Sequence, residues 1–137
     1  MNGLVVDTSI VLAWVFEDES SAVADRVMAD AAEVPIIVPG IWWYEFHNAL
    51  IISERRGRIS AWQSKSFIQS IGELNIEYET AHDRDALMGL ARDHQLTVYD
   101  AAHLEVARRR HLVLATLDRR LAGAARSAGV SLIAEEL

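Results

Sequence analysis

Four acids in this chain sit where chemistry could use them: Asp7, Glu45, Asp100 and Asp118. Oxygen-only donors suit hard divalent cations such as Mg²⁺ or Mn²⁺. Four carboxylates gathered at one place would repel one another. One or two such ions would neutralise them, orient a water and polarise a phosphate. That chemistry requires side chains scattered over most of the chain to converge.

The elements around them make convergence plausible on physical grounds. Leu4-Val5-Val6 is a short apolar run that stops at Asp7-Thr8-Ser9, as a buried strand does when it feeds a helix; the helix is expected over 9–16, capped by Thr8 or Ser9. Ser20 can cap a second helix to about residue 32. Pro35 to Pro39 brackets a second strand, followed by a helix over 41–56 that Gly57 ends. A helix over 60–71 completes an αα-hairpin. The segment 74–78 alternates like a strand, with a helix expected from Thr80 to about residue 94. Thr97-Val98-Tyr99-Asp100 has the form of a capping box opening a helix to about residue 110. Strands over 112–115 and 130–133 flank a helix over 119–128. Strands separated by helical stretches predict an α/β fold, a mainly parallel sheet with helices on both faces, in one domain spanning residues 1–137.

Ligands of such sheets bind beyond the carboxyl ends of the strands. Asp7 directly follows the first strand and Asp118 lies three residues after Ala115, while Asp100 opens a helix. Glu45 lies inside the very apolar run Ile41-Trp42-Trp43-Tyr44-Glu45-Phe46, where an ionised carboxylate needs a cation or donors to offset its desolvation. Asn48, three residues on, shares its helix face. Each acid also has a plain reading. Asp7 and Asp118 could cap helices, Asp100 could belong only to its capping box, and Glu45 could point to solvent.

The chain has 137 residues, no cysteine and a formal net charge of −7. Disulfides, thiolate zinc sites and cysteine nucleophiles are therefore excluded. A reducing cytoplasm is the natural expectation, since the start of the sequence lacks the pattern of a secretory leader. No apolar run approaches the roughly 18 residues of a membrane span. Net negative charge argues against a nucleic-acid partner at first sight, but a cation bound among the acids inverts the local field.

The chain resembles the PIN-domain family, and within it the VapC-like toxins of toxin–antitoxin pairs. The resemblance rests on Leu4-Val5-Val6-Asp7-Thr8-Ser9, on Glu45 with Asn48 after Pro39, on Tyr99-Asp100-Ala101-Ala102-His103, and on Leu114-Ala115-Thr116-Leu117-Asp118. It implies an α/β/α sandwich and a Mg²⁺- or Mn²⁺-dependent endoribonuclease held in check by a cognate VapB-like antitoxin. It also implies a homodimer. It maps metal-binding acids onto Asp7, Glu45, Asp100 and Asp118, and puts Thr8 or Ser9, Asn48 and Thr116 at supporting positions.

Arg119 and Arg120, next to Asp118, are the best candidates for phosphate contacts. The runs at 55–58 and 108–110 lie at expected helix C-termini, where cations also offset the dipole. Trp42, Trp43, Tyr44, Phe46 and Trp62 divide between core packing and a partner surface. The histidines show no zinc spacing and read as structural or surface residues, with a minor role open to His103 beside Asp100. A phosphate-accepting receiver would need a lysine after a late strand, and the sole lysine is Lys65. A dehalogenase-type phosphatase would need an aspartate at Ser9. A non-catalytic PIN-like interaction module and a DNA-cleaving relative remain as alternatives.

Overall fold

The computed structural model describes residues 1–19 and 21–135. Strand β1 (Leu4–Val6) leads to helices α1 (Thr8–Val15) and α2 (Ala22–Ala31), joined through a 3-10 turn at Glu17–Glu19. Strand β2 (Ile36–Pro39) is followed by α3 (Ile41–Arg55) and α4 (Ala61–Ile71), and β3 (Ile76–Glu79) by α5 (Arg84–His94) and α6 (Val98–Arg109). Strand β4 (Val113–Ala115), α7 (Arg119–Ser127) and β5 (Leu132–Ile133) complete the order. The five strands pair in the order β3-β2-β1-β4-β5, every pairing parallel.

Strand alternation divides the interior in two. Leu4, Val6, Ile36, Val38 and Ala115 face a core shared with Ile10, Val27, Trp42, Phe46, Leu50 and Ile71 of α1 to α4. Val5, Ile37 and Leu114 face the opposite core, with Leu90, Leu104, Leu121 and Ala125 of α5 to α7. The result is the expected α/β/α sandwich. Burying side chains such as Leu4, Ile10 and Leu104 completely contributes roughly 1.5–3 kcal/mol each. Gly3 lets β1 enter this packing, because a Cβ there would stand 2.6 Å from Ile37 Cδ1 and 3.2 Å from the Pro35 carbonyl oxygen.

Chain direction decides where a ligand site can form. From β1 the chain steps outward through β2 to β3 with helices on one face. It then returns to β4 and continues to β5 with helices on the other. The right-handed rule for parallel crossovers requires that change of face. Strands β1 and β4 are neighbours whose exits diverge, so the crevice above them is the topological switch point.

Several local expectations are corrected by chemistry at element ends. Asp7, not Thr8 or Ser9, caps α1, its side chain accepting from the Ile10 amide. Ser20 lies outside the described residues, and Ser21 caps α2 through the Ala24 amide. The helix expected from Thr80 starts after Asp83, because β3 runs on to Glu79 and Asp83 accepts from the Ala86 amide. At α6 half of the capping box forms: Thr97 Oγ1 accepts from the Asp100 amide at 3.1 Å. Gly57 follows α3 with φ +73°, the left-handed position at which glycine is favoured. Among the described residues no helix is long and apolar enough to cross a membrane.

Candidate active site

Asp7 ends β1 with its amide donating to the Ala115 carbonyl at 3.3 Å, and its side chain is 6% exposed. Two hydroxyls hold the carboxylate. Ser9 Oγ donates to Oδ1 and Thr116 Oγ1 to Oδ2, each at 2.5 Å. Each hydroxyl also accepts an amide of the β4–α7 loop: Ser9 Oγ from Leu117 at 2.8 Å, Thr116 Oγ1 from Asp118 at 2.9 Å. Asp7 is thus pinned at the switch point by residues from both diverging strands. Burial still outweighs these bonds and pushes the Asp7 carboxyl above the usual carboxylate range.

Asp118 stands across the crevice and caps α7, Oδ1 accepting from the Arg120 and Leu121 amides at 2.8 and 3.3 Å. The capping reading is therefore correct for Asp7 and Asp118, and it leaves their charge at the crevice. Asp100 is half-buried in the first turn of α6. Burial raises its pKa, as does the charge of Asp118, against which His103 and Arg120 act. Glu45 is half-buried on α3. Its pKa is also raised by burial, further by Asp100 and Asp7, and is lowered by His103. Glu45 thus lies within electrostatic reach of Asp7 and Asp100, and Asp100 within reach of Asp118. The carboxyls of Asp7, Glu45 and Asp100 are shifted above the ordinary carboxylate range, chiefly by burial.

The remaining residues divide. Thr8 lies beside Asp7 with its Oγ1 buried and unpartnered, while Ser9 and Thr116 hold Asp7 as described. Asn48, a turn after Glu45, is exposed, and its side chain bonds none of the described residues. Arg120 anchors on the Gln95 carbonyl at 2.9 Å, and Arg119 is exposed beside it. Arg109 and Arg110 pair with Glu79 at the other end of α6, and Arg58 pairs with Asp18 and lies 3.8 Å over the Phe16 ring. Those arginines already have structural partners. Trp42 is fully buried, whereas Trp43, Tyr44 and Trp62 are exposed.

His103 has a larger place than its spacing indicated. It is 1% exposed, its Nδ1 lies 2.8 Å from the Tyr99 carbonyl, and it lies within electrostatic reach of Asp7, Glu45 and Asp100. The signal in the sequence was the Asp100-x-x-His103 spacing, which puts both residues on one helix face.

The donor set suits a hard cation. The acids supply oxygen alone, and Glu45 Oε1 is buried with no hydrogen-bond partner. Among the described residues, no three Asp, Glu or His side chains stand close enough in this conformation to enclose one ion.

Comparison with known proteins bears on the family and the fold. A profile of the PIN domain matches residues 4–127. The chain is 32% identical over 123 residues to Ribonuclease VapC3 of Pyrobaculum aerophilum, covering 87% of this chain and 92% of that protein. The crystal structure of PAE2754, also from Pyrobaculum aerophilum, superposes with a TM-score of 0.71 at 24% identity, covering 96% of this chain and 91% of that one. At that identity the structural match bears on the fold alone.

Proposed function

We propose that this chain, which belongs to the PIN-domain family, is a Mg²⁺- or Mn²⁺-dependent endoribonuclease and the toxin of a VapBC-type pair. The observation that carries the reading is the buried Asp7 carboxylate held beyond the end of β1 by the Ser9 and Thr116 hydroxyls, with Asp7 and Asp100 acting on Glu45 and Asp118 acting on Asp100. Asp7, Glu45, Asp100 and Asp118 would hold the ion, which when bound supplies charge neutralisation and Lewis acidity toward a phosphodiester. Ser9 and Thr116 fix the Asp7 carboxylate from both sides of the crevice. Arg119 and Arg120 flank Asp118 and are suited to contact phosphate oxygens of the RNA. The similarity to a protein named Ribonuclease VapC3 supports both RNA as substrate and a VapB-like antitoxin as partner. Such a pair would act in the cytoplasm, and the exposed Trp43, Tyr44 and Trp62 are suited to anchor an antitoxin or a second copy of the chain.

One rival reading is a PIN-like interaction module without catalysis, since among the described residues no three Asp, Glu or His side chains enclose a single ion. One experiment separates the two. Purified protein is given RNA with Mg²⁺ or Mn²⁺, beside Asp7→Asn and Asp100→Asn. The nuclease reading expects cleavage by the native chain and a loss of about 100-fold or more in either variant, with the fold preserved. No cleavage of any RNA by metal-loaded native protein would leave the interaction module standing.

A further inference from the structure

Asp118 precedes α7 and Asp100 lies in the first turn of α6, and the two carboxylates are held unequally. Asp118 accepts the Arg120 and Leu121 amides at 2.8 and 3.3 Å. The Asp100 side chain has no hydrogen bond among the described residues, so its place follows from where α6 begins. That start is tied only to its own neighbours. Leu96 donates to the Ala91 carbonyl at 3.0 Å, and Thr97 Oγ1 accepts the Asp100 amide at 3.1 Å. Further along, Ala101, Leu104 and Leu121 share one core, but apolar packing is non-directional and leaves a helix's first turn free to fray.

One bond crosses between the two elements. Arg120 Nη2 donates to the Gln95 carbonyl at 2.9 Å, and among the described residues no other hydrogen bond joins 95–100 to 116–121. The same residue's backbone amide is one of the two that hold Asp118. Its acceptor is presented by an unusual backbone. Gln95 ends α5 at φ 54° and ψ 42°, in the left-handed region where any residue but glycine is disfavoured. A cation is also favoured at the C-terminal end of α5, which suits a guanidinium to this place.

We propose that Arg120 is a positioning residue for the candidate metal site: by bonding the Gln95 carbonyl while its own amide holds Asp118, it sets the first turn of α6, and with it the Asp100 carboxylate, at a fixed separation from Asp118. The guanidinium's other N–H groups stay open to a phosphate. The inference rests on the nuclease reading only for its consequence, metal affinity, since the brace itself belongs to the metal-free protein. The sign of that consequence is diagnostic. A cation beside metal-binding acids repels the metal, so a residue acting by charge alone would weaken binding and its loss would strengthen it. A brace does the reverse.

Arg120→Gln removes the charge and is too short to reach Gln95, whereas Arg120→Lys keeps the charge and a donor on a long stem. In metal-free protein followed by NMR, the Gln95 carbonyl ¹³C resonance is expected to move in Arg120→Gln. The Asp100 amide is expected to exchange about tenfold faster there than in the native chain. Arg126→Gln, two turns further along α7, should leave both in place. An unmoved Gln95 resonance or native exchange at Asp100 in Arg120→Gln overturns the brace. With Mn²⁺ followed by electron paramagnetic resonance, Arg120→Gln is expected to bind about tenfold more weakly than the native chain. Equal or tighter binding in Arg120→Gln overturns the positioning role, since charge alone then accounts for the residue. The affinity of Arg120→Lys is expected to track its Asp100 exchange, and weak binding beside native exchange overturns the role as well. A native chain that binds no Mn²⁺ defeats the nuclease reading instead, and the metal-free measurements still judge the brace.

Discussion

Thr116 Oγ1 donates to Asp7 Oδ2 at 2.5 Å and accepts the Asp118 amide at 2.9 Å, so one hydroxyl ties together two acids 111 positions apart in sequence. It does so at 0% exposure. Thr116→Val keeps the shape and removes the hydroxyl, leaving the Asp118 amide without its acceptor and Asp7 Oδ2 without its donor. Urea unfolding is expected to show a loss of about 1–3 kcal/mol, with Thr116→Ser close to native. A valine variant as stable as the native chain would show that the bridge contributes nothing.

Stability of the metal-free protein should fall as pH rises across the range just above ordinary carboxylate values. Asp7, Glu45 and Asp100 are all raised in the folded state, chiefly by burial. The folded chain therefore holds more protons than the unfolded chain above pH 4 or so, and their contribution is present at low pH and lost on deprotonation. Glu79, lowered first by its bond from the Ala81 amide, opposes this only as the pH falls through its own lowered range. Thermal unfolding in EDTA is expected to give a higher Tm near pH 5 than near pH 7.5. A Tm rising steadily toward neutrality would contradict the raised values.

Mg²⁺ or Mn²⁺ should reverse that trend, because the ion needs the carboxylates that protons compete for. At about 100 times its dissociation constant an ion specific to the folded state adds roughly 2.7 kcal/mol. The rise in Tm is expected near pH 7.5, to shrink near pH 5, and to be absent in Asp7→Asn. An equal rise in Asp7→Asn would place the ion elsewhere.

These expectations show what was legible before the fold was known. Asp7 and Asp118 stood at recognisable strand ends, and Glu45 was conspicuous as one carboxylate in an apolar helix. The parallel sheet with helices on both faces followed from strands alternating with helices, whereas the strand order did not. What stayed hidden was pairing across long separations. Nothing local announces that Ser9 Oγ accepts the Leu117 amide, 108 residues away, or that His103 is buried rather than surface-lying. The late start of α5 was hidden too: Thr80, Asp83 and the end of β3 compete for the same few residues, and strand pairing of Glu79 with Pro39 decides among them.

Asp118 offers a separation of two roles, because one substitution removes charge and another removes the cap. Asparagine caps a helix about as well as aspartate, so Asp118→Asn is expected to keep the amide bonds to Arg120 and Leu121 and nearly native stability. Asp118→Ala loses the cap and about 1 kcal/mol. If the carboxylate also serves the ion, both variants lose Mn²⁺ affinity and RNA cleavage together, whatever their stabilities. Denaturant midpoints read the cap, and metal titration reads the charge. Native Mn²⁺ affinity in Asp118→Asn would reduce this acid to a helix cap and leave Asp7, Glu45 and Asp100 as the working set.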